Sequence, residues 1–89
     1  MQTLEATIRN RLGLHARAAA KFVKLATRFR SEITLERGGQ QANGKSIMGI
    51  LMLAAAEGTT VKITTSGEDE EDAVKALVDL VNGKFDESE

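Results

Sequence analysis

The chain is predicted to fold as a two-layer α+β open-faced sandwich: a four-stranded antiparallel sheet with three helices on one face, in the order βαββαβα. Three observations lead there. Four short segments alternate apolar and polar residues, the period of a strand with one covered and one solvated face. Three further segments carry apolar residues at helical spacing. No strand-like segment is apolar throughout, as burial on both faces of a parallel sheet requires, so antiparallel pairing is expected.

Leu4, Ala6 and Ile8 alternate with Thr3, Glu5 and Thr7 in the first strand. Over residues 16–29, Ala19, Phe22, Val23, Ala26 and Phe29 mark one face of a helix. Ile33 and Leu35 alternate with Glu32, Thr34 and Glu36, and Gly38-Gly39 supplies a tight turn into a short third strand over residues 40–43. Ser46 opens a short apolar helix to about Leu53, which ends near Glu57-Gly58. Val61 and Ile63 alternate with Lys62 and Thr64 in the fourth strand. The last helix runs from about Asp69 to Val81, with Ala73, Val74, Leu77, Val78 and Val81 inward, and Asn82-Gly83 stops it. Its acidic entrance, residues 68–72, complements the helix dipole rather than marking a cation site.

Eighty-nine residues are expected to form one domain, 1–89, around one core. Apolar content of 42% and charged content of 28% are those of an ordinary globular protein. With no Trp or Tyr, only three Phe and a net charge of −1, the chain lacks both the stacking platform and the basic surface of a nucleic-acid binder. The absence of cysteine removes disulfides and thiolate metal sites, and a single histidine leaves little for zinc, so no metal is expected. The N-terminal segment shows no secretory pattern, and the apolar run over residues 50–56 is too short to cross a bilayer. A cytoplasmic protein without membrane insertion is expected.

The single histidine, His15, lies in the run Gly13-Leu14-His15-Ala16-Arg17-Ala18-Ala19-Ala20, where a glycine turn feeds a helix starting at about Ala16. That places the imidazole at or beside a helix N-cap, where unpaired backbone N–H groups and the positive end of the dipole favour anions. Neutral imidazole is a nucleophile near physiological pH. Arg17 in the first turn opposes the dipole and is best explained by a bound anion. Nucleophile, amide cradle and guanidinium together point to accepting and holding a phosphoryl group.

A second phosphate motif is present. Gly39-Gln40-Gln41-Ala42-Asn43-Gly44-Lys45-Ser46 fits G-x-x-x-x-G-K-S between a predicted strand and a predicted helix. The preceding strand alternates instead of being buried on both faces, and Gln40, Gln41 and Ala42 complete a hairpin better than they form a phosphate nest. No later strand ends in an apolar run and Asp suited to magnesium. Nucleotide binding by residues 39–46 therefore stands only as the rival reading.

With His15, Arg17, the segment Lys45-Ser46-Ile47-Met48-Gly49 and the βαββαβα order in place, the chain resembles the HPr family over its whole length. These are the histidine-containing phosphocarriers of the bacterial phosphoenolpyruvate-dependent phosphotransferase system. The resemblance implies that His15 takes a phosphoryl group on Nδ1 from enzyme I and passes it to an enzyme IIA-type acceptor. It implies that Arg17 and the amide of Ala16 help neutralise the phosphate. It also implies that Ser46 is phosphorylated by a dedicated ATP-dependent kinase (an HPr kinase/phosphorylase) as a brake. Such a protein needs no cofactor and is a carrier consumed and regenerated by its partners rather than an enzyme. One departure is Ala18, where family members commonly have proline, a residue suited to a first turn but not required there.

Arg17, Lys21, Lys24 and Arg28 recur at spacings that set one basic stripe along the first helix. Ile47, Met48 and Leu51 offer more apolar surface than a short helix buries, and methionine adapts to several partners. Ile50 and Leu53 read as core. The stripe, Lys45 and the apolar patch are expected to meet acidic docking faces, with the protein acting as a monomer. Ser46 is also a natural helix N-cap. A non-catalytic interaction domain of the same fold is the remaining alternative, and His15 speaks against it.

Overall fold

The computed structural model describes residues 1–87. Its elements are β1 (Gln2–Thr7), α1 (Ala16–Ala26), β2 (Glu32–Arg37), β3 (Gln40–Asn43), α2 (Ile47–Met52), β4 (Thr60–Ser66) and α3 (Glu70–Asn82), followed by a short turn, Lys84–Asp86. The strands form one antiparallel sheet in the order β1-β4-β2-β3, so the predicted open-faced sandwich is what is observed.

Register explains the two faces. Residues directly opposite each other share a face of the sheet. The row Leu4–Ile63–Leu35–Ala42 turns toward the helices, and the adjacent row Glu5–Lys62–Glu36–Gln41 turns toward solvent. On that outer row the lysine stands between two glutamates, and Gln41 donates to the Glu36 carboxylate at 3.1 Å. Against the inner face pack Ala18, Ala19, Phe22 and Ala26 of α1 and Ala73, Val74, Leu77 and Val81 of α3. A fully buried side chain of Phe22's size contributes about 1.5–3 kcal/mol relative to exposure. Alanines at positions 18, 19 and 26 let α1 lie close to the layer below.

Two expectations are corrected. Leu4 shares the core-facing row, yet it lies on an edge strand and is 43% exposed. The first helix ends at Ala26, not Phe29: Thr27 caps it and folds its hydroxyl back to the Lys24 carbonyl at 2.9 Å. Beyond it, the amides of Arg30 and Ser31 and the Ser31 hydroxyl donate to the Asp69 carboxylate, drawing the chain out of the helix and into β2. Phe29 still packs against the core, from a turn instead of a helix. As expected, Asn82-Gly83 ends α3, with Gly83 at φ −85; the left-handed residues are the next three, Lys84, Phe85 and Asp86, at φ 60, 55 and 63. Left-handed geometry at a non-glycine residue costs about 1–2 kcal/mol. Here complete burial of the Phe85 ring offsets part of the cost of the three residues.

Candidate functional site

The loop before α1 is built around Gly13. Its φ of +68 favours glycine, and a Cβ there would sit 2.5 Å from the Ala55 carbonyl oxygen. The close approach lets the Leu14 amide donate to that same carbonyl at 2.9 Å. Ala54, left-handed at φ 51 after the end of α2, turns Ala55 into place. From the other side the buried Asn10 donates from Nδ2 to the Gly13 carbonyl at 2.8 Å. Leu14 is buried, so the next residue emerges at the start of α1 with little freedom.

That residue is His15, the N-cap of α1, with extended backbone at φ −80 and ψ 179. Its Nδ1 accepts from the Arg17 amide at 3.4 Å, so this ring nitrogen faces the open first turn of the helix. Its Nε2 lies 2.5 Å from Oε2 of Glu87. Nδ1 faces a donor and Nε2 faces a carboxylate, so in the neutral form of the ring the proton belongs on Nε2. The side chain of His15 is 28% exposed, open enough to react, whereas that of Glu87 is 11% exposed.

Glu87 is held through both oxygens, because Asn10 Nδ2 also donates to Oε1 at 2.9 Å. Both neighbours of that amide nitrogen are acceptors, which fixes the orientation of the Asn10 amide. Partial burial, the largest single influence, pushes the Glu87 carboxyl up. Hydrogen bonds from Asn10 and His15 and the charges of His15 and Lys21 outweigh it and leave the group below the ordinary glutamate value.

His15, Ala16, Arg17 and Lys21 line one depression of about 700 Å³ together with Leu12, Asp86 and Glu87. Of these expected residues, Lys21 is not a free cation, since its Nζ donates to the Phe85 carbonyl at 2.7 Å. Lys24 lies farther along α1 and Arg28 in the turn beyond its end, so the expected basic stripe leaves the helix before its last member; both residues are exposed. Lys45 is partly engaged as well, donating from Nζ to the Phe29 carbonyl at 2.8 Å. Ser46 caps α2 by accepting the Gly49 amide at 3.1 Å. Ile47 and Met48 are 41% and 68% exposed, Leu51 is partly buried, and Ile50 and Leu53 belong to the core.

Sequence reasoning did not find Leu12 and Met52, exposed by 69% and 77%, nor Asn10 and Glu87. Phe85, an aromatic residue just past the helix stop, was the available sign that the tail is anchored.

The geometry removes the nucleotide-binding alternative. Gly39 belongs to the turn after β2, and Gln40–Asn43 is a strand paired in register with β2. The motif's Lys45 and Ser46 are engaged as a lysine–carbonyl contact and a helix cap. The acidic entrance to α3 is likewise occupied by protein partners: Asp69 holds Arg30 and Ser31, and Glu70 accepts the Gly67 amide at 3.1 Å.

A family model for the PTS HPr component phosphorylation site matches residues 2–83. The chain is 51% identical over 90 residues to the phosphocarrier protein HPr of Pseudomonas aeruginosa, covering all of both chains. It is 52% identical over 80 residues to that of Neisseria meningitidis serogroup A, covering 90% of each. Among solved structures, HPr from Thermoanaerobacter tengcongensis superposes with a TM-score of 0.95 at 47% identity, with full coverage of both chains. No helix among the described residues is long and apolar enough to cross a membrane. The site at the start of α1, the four-stranded sheet behind it and these full-length likenesses lead to one conclusion: the chain belongs to the HPr family of phosphocarrier proteins of the phosphotransferase system.

Proposed function

We propose that His15 accepts a phosphoryl group from phosphorylated enzyme I and passes it to an enzyme IIA-type acceptor in the cytoplasm, with this protein as a carrier rather than a catalyst. The observation that carries this reading is the orientation of the ring. Nδ1 carries the unprotonated lone pair and faces the Arg17 amide in the first turn of α1, through a long contact that an incoming phosphoryl group can replace. In the transfer, that lone pair attacks phosphorus, the Nδ1–P bond forms as the donor's bond to phosphorus breaks, and the donor keeps the electron pair. The new phosphoryl oxygens then meet backbone N–H groups and the positive end of the helix. Arg17, in the same turn, adds a guanidinium suited to phosphate geometry.

The site is shaped for release as well as capture. A partly exposed ring, one arginine and a helix terminus hold the group through diffusion without burying it. Onward transfer reverses the same bond exchange. Donor and acceptor must use this face in turn, so the working form is a monomer with Leu12, Ile47, Met48 and Met52 open to either partner. Exposed Lys24 and Arg28 supply positive charge for acidic docking faces.

Ser46 is read as both cap and brake. A phosphate at the N-terminus of α2 suits the local dipole, while its charge beside Ile47 and Met48 opposes an acidic partner. Incubation with enzyme I and phosphoenolpyruvate tests the reading: mass spectrometry should show one added phosphoryl group, and its absence would end the proposal.

A further inference from the structure

The turn after α3 delivers a carboxylate to the imidazole face opposite the reacting nitrogen. We propose that Glu87 is a positioning residue for His15, fixing its proton on Nε2 so that Nδ1 is the nitrogen that takes the phosphoryl group. This rests on the reading of His15 as phosphoryl acceptor and adds to it a residue outside the helix-terminal cradle.

Several independent observations carry it. Glu87 Oε2 meets Nε2 of His15, and Oε1 takes Nδ2 of Asn10, so neither oxygen is left to roam. Asn10 is fully buried and also holds the Gly13 carbonyl, which ties the carboxylate to the loop that presents the histidine. The segment bearing Glu87 is anchored by the fully buried Phe85 ring and by Lys21, which clasps the Phe85 carbonyl. Three successive left-handed residues are needed to reverse the chain after α3 and seat it there. An incidental surface ion pair would have none of this support and would lose much of its energy to side-chain freedom.

The chemistry follows from the ring. When the Nδ1 lone pair enters the bond to phosphorus, the imidazole gains positive charge. The Nε2 proton stays on the ring and is shared with the Glu87 carboxylate, which counters that charge. No proton leaves and no further reactant is needed. The arrangement is the orienting half of a nucleophile–base–carboxylate relay, in which the carboxylate sets the tautomer without itself being protonated.

The test compares Glu87→Ala and Glu87→Gln with the parent, both keeping Phe85 as anchor. Nitrogen-15 NMR of the histidine ring reads the tautomer in the unphosphorylated protein, and quenched-flow transfer from phospho-enzyme I reads the rate. The parent should show the Nε2–H tautomer alone. Glu87→Ala should populate the Nδ1–H tautomer and slow acceptance by roughly tenfold, the lower end of what loss of an orienting partner does. Glu87→Gln keeps one acceptor oxygen for its two donors and no charge, so it should hold the tautomer better than Glu87→Ala and transfer at a rate between that variant and the parent. A slow Glu87→Ala with an unchanged tautomer, or a Glu87→Ala indistinguishable from the parent in both readouts, overturns the proposal. If the parent itself takes no phosphate, the carrier reading of His15 fails, while the ring spectra still decide whether Glu87 orients it.

Discussion

Replacing Gly13 by alanine strains the His15 loop in two separable ways. At φ +68 a β-carbon adds about 1 kcal/mol of left-handed strain. It would also meet the Ala55 carbonyl oxygen at 2.5 Å and the Ala56 Cα at 3.0 Å. Both are backbone atoms that cannot rotate away, so relief requires the loop or the end of α2 to move, at a further cost of about 1–3 kcal/mol. Gly38 isolates the first effect, with φ +55 and no heavy atom within 4 Å of a built Cβ. Urea and thermal unfolding followed by circular dichroism should give a loss of about 1 kcal/mol for Gly38→Ala. For Gly13→Ala the loss should be about 2–4 kcal/mol, with a Tm lower by on the order of 10–20 °C. Because the displaced loop carries Leu14 and His15, Gly13→Ala should also accept phosphate more slowly at temperatures where it remains folded. Equal destabilisation in the two variants would show that the loop is not clamped against Ala55.

Ser46→Ala should lose about 1 kcal/mol of stability with phosphotransfer largely kept, whereas Ser46→Asp should be at least as stable as Ser46→Ala yet slow in transfer from enzyme I; stopped-flow and melting curves on both variants separate cap from brake. Lys24→Glu should slow association with enzyme I in a manner that added salt diminishes, and Met48→Asp should weaken binding by about 1–2 kcal/mol with little salt dependence, as measured by surface plasmon resonance at two ionic strengths. The Asp69 carboxyl is held below the ordinary value of 3.8 by hydrogen bonds from the Ser31 side chain and the Arg30 amide. A depressed folded value means the stabilisation is present above the unfolded value and disappears as pH falls through the folded one. Urea titrations of the parent should therefore lose stability on acidification below about pH 4 more steeply than those of Asp69→Asn.

Where local pattern and tertiary structure agree, the elements were legible. Ile33 and Leu35 alternate because β2 has one dry face, and Ser46 is a cap because its oxygen suits an amide three residues on. His15 was visible as an N-cap for the same local reason. The misreadings share another cause, which is long-range partners. Asp69 ends α1 early from the far end of β4, and nothing within residues 16–29 announces it. Ala54 and the Lys84–Asp86 turn adopt left-handed backbone without glycine, since burial and tertiary hydrogen bonds outweigh local preference. Glu87 reaches His15 across 72 positions of sequence, a contact no spacing rule describes. The histidine at the start of α1 was thus readable from sequence, and its link to Glu87 and Asn10 was not.

Phosphorylation by enzyme I and phosphoenolpyruvate of protein labelled with nitrogen-15 in its histidine, read by NMR in parent and His15→Ala, addresses the reacting atom itself. The parent should carry one phosphoryl group, bonded to Nδ1 of His15, labile in acid and stable in base, and folded His15→Ala should carry none. Phosphate retained by His15→Ala, or found on Nε2 of the parent, would contradict the assignment of His15 Nδ1 as the carrier atom.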